Sequence, residues 1–369
     1  MNRVINVVLL SFGLFVFTLD PFGQSFNETL LSEKENANNP IPSPDGKMIA
    51  FVRTGRWEKG SGGQGRSNLR SEIMVMDDQG HLLTDKPLAD AFLAGWTSDG
   101  KNLVCYRDYK YFLVSLDGRK SRETEIPSEQ WSAHDKSERG TYLPSIDEMI
   151  FVQNSRQSTR GIIRTVGKEI AQNDTSLGKM LVPSPDGRYI AAIDITRLAQ
   201  DQLWVYDTQN NSWANLGKAT IHPDITQPNN EWDWVNASWN PWYADSSHLA
   251  FVSGSTIVVS TPDGKSKQVI TEANLPIGLA TPSPDGKFIA YVTFDAKLNK
   301  EQPQHTFWGN TTVWVAPVIP GAKARPVTKK ATETTWCLRW LNTKEIVFDR
   351  MPYFGAMGND NRLWRVRVE

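Results

Sequence analysis

The stretch PSPDGKMIAFV, Pro42 to Val52, couples a tight turn to a short apolar run. Proline pre-sets φ at the first corner of such a turn, aspartate hydrogen-bonds its own backbone, and glycine takes the corner that needs φ > 0. The run that follows, Ile49 to Val52, is continuous, as expected of a strand buried on both faces, and shows no helical period. Near copies begin at Pro183 (PSPDGRYIAAI) and Pro282 (PSPDGKFIAYV), and three such matches in 369 residues define a repeat protein.

Weaker copies fill the gaps: GWTSDGKNLVCY from Gly95, LPSIDEMIFV from Leu143, WYADSSHLAFV from Trp242 and WLNTKEIVFD from Trp340. The units recur every roughly 40 to 57 residues, the period of a four-stranded propeller blade. A further strand signal follows each gap, as in EIMVMDDQG at Glu72, QLWVYDT at Gln202 and LWRVRV at Leu363. More polar segments, KQVIT from Lys267 and ARPVT from Ala324, suit an outermost strand with one solvated face. The pattern predicts an all-β fold, a seven-bladed β-propeller of four-stranded blades. The seventh unit stops at Glu369 after its third strand, so SFNETLLSE, from Ser25, is expected to add the missing strand and close the ring.

The repeats leave room for a single propeller domain over residues 26–369, preceded by a segment, 1–25, of another character. There a lone Arg3 precedes an apolar run from Val4 to Leu19, the layout of a secretory signal peptide. Gly23 and Ser25 place small residues before a cleavage ahead of Phe26. A periplasmic or secreted location follows; the alternative is retention as an N-terminal anchor, the one membrane contact expected. Lys and Arg total 40 against 41 Asp and Glu, a net charge of −1, which offers no field to draw nucleic acid. Cys105 and Cys337 fall in blades that do not adjoin, which predicts buried thiols and no disulfide.

With SPDGKMIAFV followed by EIMVMDDQG, the sequence resembles the TolB-type, WD-like propeller repeat of bacterial envelope proteins, over nearly the whole chain after the leader. The resemblance implies the fold and leaves the activity open. Related repeats occur in the periplasmic Tol-system protein, in propeller domains of prolyl-oligopeptidase-like peptidases and in oligogalacturonate lyases. The chain departs from the Tol-system protein, which has six blades and a separate N-terminal domain.

A peptidase reading fails for want of a G-x-S-x-G elbow and of room for a hydrolase domain. Only His81, His134, His222, His248 and His305 are present, no two closer than about 25 residues, so no metal or other cofactor is expected. The lyase resemblance would imply a metal held by His and Gln residues, a set with no residue-by-residue match here.

Of the fourteen Trp, Trp96 and Trp242 precede repeat turns, while Trp204, Trp314 and Trp364 lie in third strands, positions suited to packing between blades. The others fall in long connections. EWDWVNASWNPWY carries Trp232, Trp234 and Trp239 into the fifth blade, and Trp57, Trp308 and Tyr353 belong to the insertions starting at Arg53, Asp295 and Asp349. Connections between second and third strands open on the same propeller face as those between blades, so these insertions decorate one face. The first is basic, with Arg53, Arg56 and Arg66; its GSGGQG lacks the Gly-Lys-Ser/Thr and helix of a phosphate loop. Arg53, Arg56, Trp57, Arg66, Trp232, Trp234, His305, Trp308 and Tyr353 are the candidate binding residues. Loop aromatics and basic side chains suit a non-catalytic face for an envelope protein or peptide, or an anionic glycan. The alternative is a polysaccharide-binding or polysaccharide-cleaving propeller that uses Trp232, Trp234, Trp308 and Tyr353.

Overall fold

The turn that opens each repeat is built the same way in every strong copy. Ser43 Oγ donates to Asp45 Oδ1 (2.7 Å), which also accepts the backbone N–H of Lys47, and the Met48 N–H returns to Ser43 Oγ at 3.0 Å. Ser184 with Asp186 and Ser283 with Asp285 repeat the hydroxyl–carboxylate bond, and Gly46, Gly187 and Gly286 all take φ +69°. These bonds hold the Asp45 carboxyl below its ordinary pKa, the Ser43 hydroxyl contributing most.

The chain is described by a computed structural model over residues 26–32, 36–54, 71–107, 110–125, 141–143, 145–154, 161–165, 167–174, 177–194, 202–221, 239–298, 306–351 and 361–368. It forms seven antiparallel sheets, one per repeat. After β1 (Glu28–Leu30), the first blade comprises β2 (Ala37–Pro42), β3 (Met48–Thr54), β4 (Ser71–Asp77) and β5 (Ala89–Asp90). The second holds β6 (Phe92–Trp96), β7 (Asn102–Arg107), β8 (Lys110–Ser115) and β9 (Lys120–Glu125). The third holds β10 (Thr141–Leu143), β11 (Glu148–Asn154), β12 (Gly161–Arg164) and β13 (Glu169–Asn173). The fourth is β14 (Leu177–Pro183), β15 (Tyr189–Asp194), β16 (Gln202–Asp207) and β17 (Ser212–Lys218). The fifth has β18 (Leu249–Ser253), β19 (Thr256–Ser260) and β20 (Lys267–Glu272). The sixth has β21 (Ile277–Pro282), β22 (Phe288–Leu298), β23 (Thr306–Pro317) and β24 (Arg325–Pro326), and the seventh β25 (Leu338–Trp340), β26 (Glu345–Arg350) and β27 (Arg362–Arg367).

In the fifth blade the innermost position is described by two isolated bridges, Thr220 with Val252 and Trp242 with Leu249, with Ala250 N–H on the Pro241 carbonyl at 2.8 Å. Trp239, expected on an exposed connection, is buried here. The seventh blade is completed as the sequence predicts: β1 pairs antiparallel with β27, Glu28 opposite Val366 and Leu30 opposite Trp364. On its inner side β2 packs against β25, β26 and β27, so the ring is closed.

Second strands supply the deepest core, with Phe51, Phe151, Phe251 and Phe348 each under 2 % or at 2 % exposure at one repeat position. Between blades, an indole staple recurs. Trp96 Nε1 donates to the Ile41 carbonyl (2.9 Å), Trp242 Nε1 to that of Val182 (2.8 Å) and Trp340 Nε1 to that of Thr281 (3.0 Å). In each case the acceptor precedes the proline of the preceding blade's turn, so Trp96 and Trp242 do serve inter-blade packing. Trp340→Phe removes the donor and the five-membered half of the indole; a loss of about 1–2 kcal/mol in urea unfolding is expected. Cys105 and Cys337 are buried free thiols.

Candidate functional site

Strand direction fixes which groups reach the face where second strands hand over to third strands. There β3 ends at Thr54, β22 at Leu298 and β26 at Arg350. Arg53, the first basic candidate, lies inside β3, and its guanidinium meets Glu72 on β4, Nε and Nη2 both 2.8 Å from Oε2. Both side chains are about one-quarter exposed, so the pair forms part of the blade's rim. Arg56, Trp57, Arg66, Trp232, Trp234, His305 and Tyr353 lie outside the described residues.

The sixth insertion, expected as a loop, begins and ends as strand. Beyond the blade proper, Asp295 pairs with Gly309, Ala296 with Trp308, Lys297 with Phe307 and Leu298 with Thr306. A register shift between Thr293 and Asp295, with Asn310 at φ 51°, turns this extension relative to the blade. The result is a two-stranded arm with the Trp308 backbone in its second strand. Lys330 Nζ, 2.8 Å from Asp295 Oδ2, ties its base to the rest of the blade.

Where the seventh and first blades meet, the face rests on buried polar groups. Asn36 Nδ2 donates to Thr54 Oγ1 (2.8 Å), its Oδ1 accepts the Asn361 N–H (3.0 Å), and Ser32 Oγ accepts that of Leu363 (2.8 Å). Asp349 and Arg350, read from sequence as the start of the seventh insertion, belong instead to β26. Arg350 Nη1 lies 2.7 Å from Glu28 Oε2 on the closing strand, with its guanidinium 5.2 Å from the Phe348 ring and 4.8 Å from that of Trp364. The second Glu28 oxygen accepts the Lys329 N–H of the sixth blade at 2.6 Å.

Among the described carboxyls with a resolved shift, Asp349 alone is raised, burial pushing it up to about 6. Its side chain has no solvent exposure, and Oδ1 accepts the N–H groups of Trp336 (2.8 Å) and Cys337 (2.9 Å). A proton-transfer group must reach a substrate, and this one is turned onto the backbone of its own blade. Among the described residues no three His, Cys, Asp or Glu side chains gather as metal ligands. Sequence reasoning passed over Glu28, Asp349 and Arg350. The available signal was alignment of the repeats, which sets Asp349 where the other second strands carry Val52, Tyr106, Val152, Ile193, Val252 and Val292.

No protein-family model matches the sequence, and neither does any curated protein. Among solved structures, the chain is similar to an oligogalacturonate lyase in complex with manganese, at 12 % identity over 94 % of each chain with a TM-score of 0.59. It is also similar to an oligogalacturonate lyase from Vibrio parahaemolyticus, at 12 % identity over 93 % of this chain and 94 % of that one, with a TM-score of 0.60. A protein of Agrobacterium tumefaciens described as a TolB matches at 12 % identity over 76 % of this chain and 90 % of that one, with a TM-score of 0.41. The two likenesses with TM-scores of 0.59 and 0.60 agree with the propeller fold that the repeats predict.

Proposed function

We propose that this chain is an exported, non-catalytic propeller that binds an envelope protein or peptide on the face bearing its insertions. The observation that supports this most directly is the arm of the sixth blade. Among the described residues its outer edges, past Asp295 on β22 and before Thr311 on β23, have no ladder partner. Such an edge offers backbone donors and acceptors that an extended peptide can match, while the blades beneath hold it rigid. The basic first insertion, with Arg56, Trp57 and Arg66, would favour an acidic partner.

The test is capture from envelope extract by the chain lacking residues 1–25, beside a variant with Trp57, Trp232, Trp234 and Trp308 changed to Ala. Retention of a defined protein by the first and its loss by the variant are expected. If nothing proteinaceous is retained while a soluble polyuronate raises the melting temperature, the reading gives way to a polysaccharide-binding or polysaccharide-cleaving propeller.

A further inference from the structure

Asp349 occupies a repeat position that is buried in the other blades and aliphatic in five of them, Val52, Val152, Ile193, Val252 and Val292, with Tyr106 in the second. A carboxyl in a slot shaped for a branched aliphatic side chain has to be justified by what surrounds it. Oδ1 is supplied with two backbone donors, whereas Oδ2 has no donor within hydrogen-bond distance among the described residues, the Cys337 thiol and the Asn39 N–H favouring the ionised carboxyl too little to offset its burial. Across the seam, Asn39 of β2 sits at φ 50°, directs its backbone N–H toward the carboxyl and places Oδ1 3.7 Å from Cys337 Sγ.

The titratable and charged neighbours are few. Just before β25 stands the Cys337 thiol, which burial raises well above its ordinary pKa, and within it Arg339, which burial lowers to about 10 and which acts on Cys337. On β26, Arg350 is committed to Glu28. The first blade presents Asn39, which does not titrate. Asp349 itself has no ion-pair partner among the described residues.

We infer that the seam between the seventh and first blades is a proton-linked joint: it is tight while Asp349 is neutral and opens more readily once Asp349 is ionised. A buried carboxylate with one oxygen unsatisfied is costly, and parting the blades relieves the cost by admitting water. The direction follows from linkage. The folded value, about 6, lies above the ordinary 3.8, so the closed seam holds its proton more tightly than the open one. Its stabilisation is complete below the ordinary value and is lost as pH rises through the folded one. The repeat-turn carboxyls of Asp45, Asp186 and Asp285 shift the opposite way, so their contribution is lost only as the medium becomes more acidic than their ordinary range. The inference stands whether or not the proposed partner is found.

Hydrogen exchange of the whole chain near pH 5 and pH 7.5, corrected for intrinsic exchange, tests it. The amides of Trp336, Cys337 and Asn39 are expected to open about tenfold more at the higher pH, the ratio given by a carboxyl moving from 3.8 to about 6, while those of β19 show no such change. Asp349→Asn, which keeps an acceptor for the two N–H groups, should abolish the difference, and Asp349→Val, the residue most other blades carry at this position, serves if that variant does not fold. Equal pH dependence in every blade of the unaltered chain, no dependence at the seam, or a tenfold ratio that survives in either variant would overturn the inference.

Discussion

Gly46→Ala is expected to destabilise the propeller by about 3 kcal/mol or more, against about 1 kcal/mol for Gly100→Ala. The two glycines share a turn position and φ of +69°. A β-carbon on Gly46 would stand 2.3 Å from the Leu341 carbonyl oxygen, a backbone atom of the seventh blade, whereas on Gly100 the nearest neighbour is Pro44 Cδ at 3.4 Å. Left-handed strain is thus common to both variants, and only Gly46→Ala adds a collision that a side-chain rotation cannot relieve. Because Leu341 belongs to the turn of the last blade, the collision falls on the joint that closes the ring. Urea midpoints of the two variants decide the matter: equal losses would mean that the first and last blades can move apart without cost.

The second large effect concerns the closing strand. Glu28→Ala is expected to cost about 3–5 kcal/mol, the range for breaking a buried ion pair from one side. Glu28 and Arg350 are only 10 % and 9 % exposed, and Arg350 Nε has no other partner, so the guanidinium would be left buried without its carboxylate. The N–H of Lys329 would lose its acceptor as well. Glu28→Gln, which retains an acceptor, should lose less. Combining Glu28→Ala with Arg350→Met should recover part of the loss, since the stranded charge is then gone. Melting temperatures in a double-mutant cycle measure this; additive losses would show that the pair does not couple the closing strand to the seventh blade.

The fold was legible because it is written seven times. A turn with proline, aspartate and glycine ahead of an apolar run identifies a first turn and second strand wherever it occurs, and the missing strand of the seventh unit pointed to the segment around Glu28. The serine of the same motif has no part in that reading, yet Ser43 and its counterparts anchor the aspartate. The extension of β22 and β23 was hidden because Asp295 to Leu298 and Thr306 to Asn310 carry no continuous apolar run. A two-stranded arm is held by pairing across its own ladder, which leaves no apolar imprint. Aspartate is a turn residue by habit, so Asp349 looked like the start of an insertion; only comparison with Val52 and Val292 assigns it to a strand. The candidate binding surface was legible as composition alone, with Arg53 the one candidate whose side chain is described, already paired with Glu72.

The pairing of β1 with β27 also sets an order in time. The first of the described strands to emerge from synthesis has its hydrogen-bond partner in the last, more than 330 residues later, as Glu28 opposite Val366 makes plain. Six blades can fold as they appear; the seventh waits for both ends, and its edge stands bare until they meet. The slowest and most aggregation-exposed step in the life of this chain is therefore its final one.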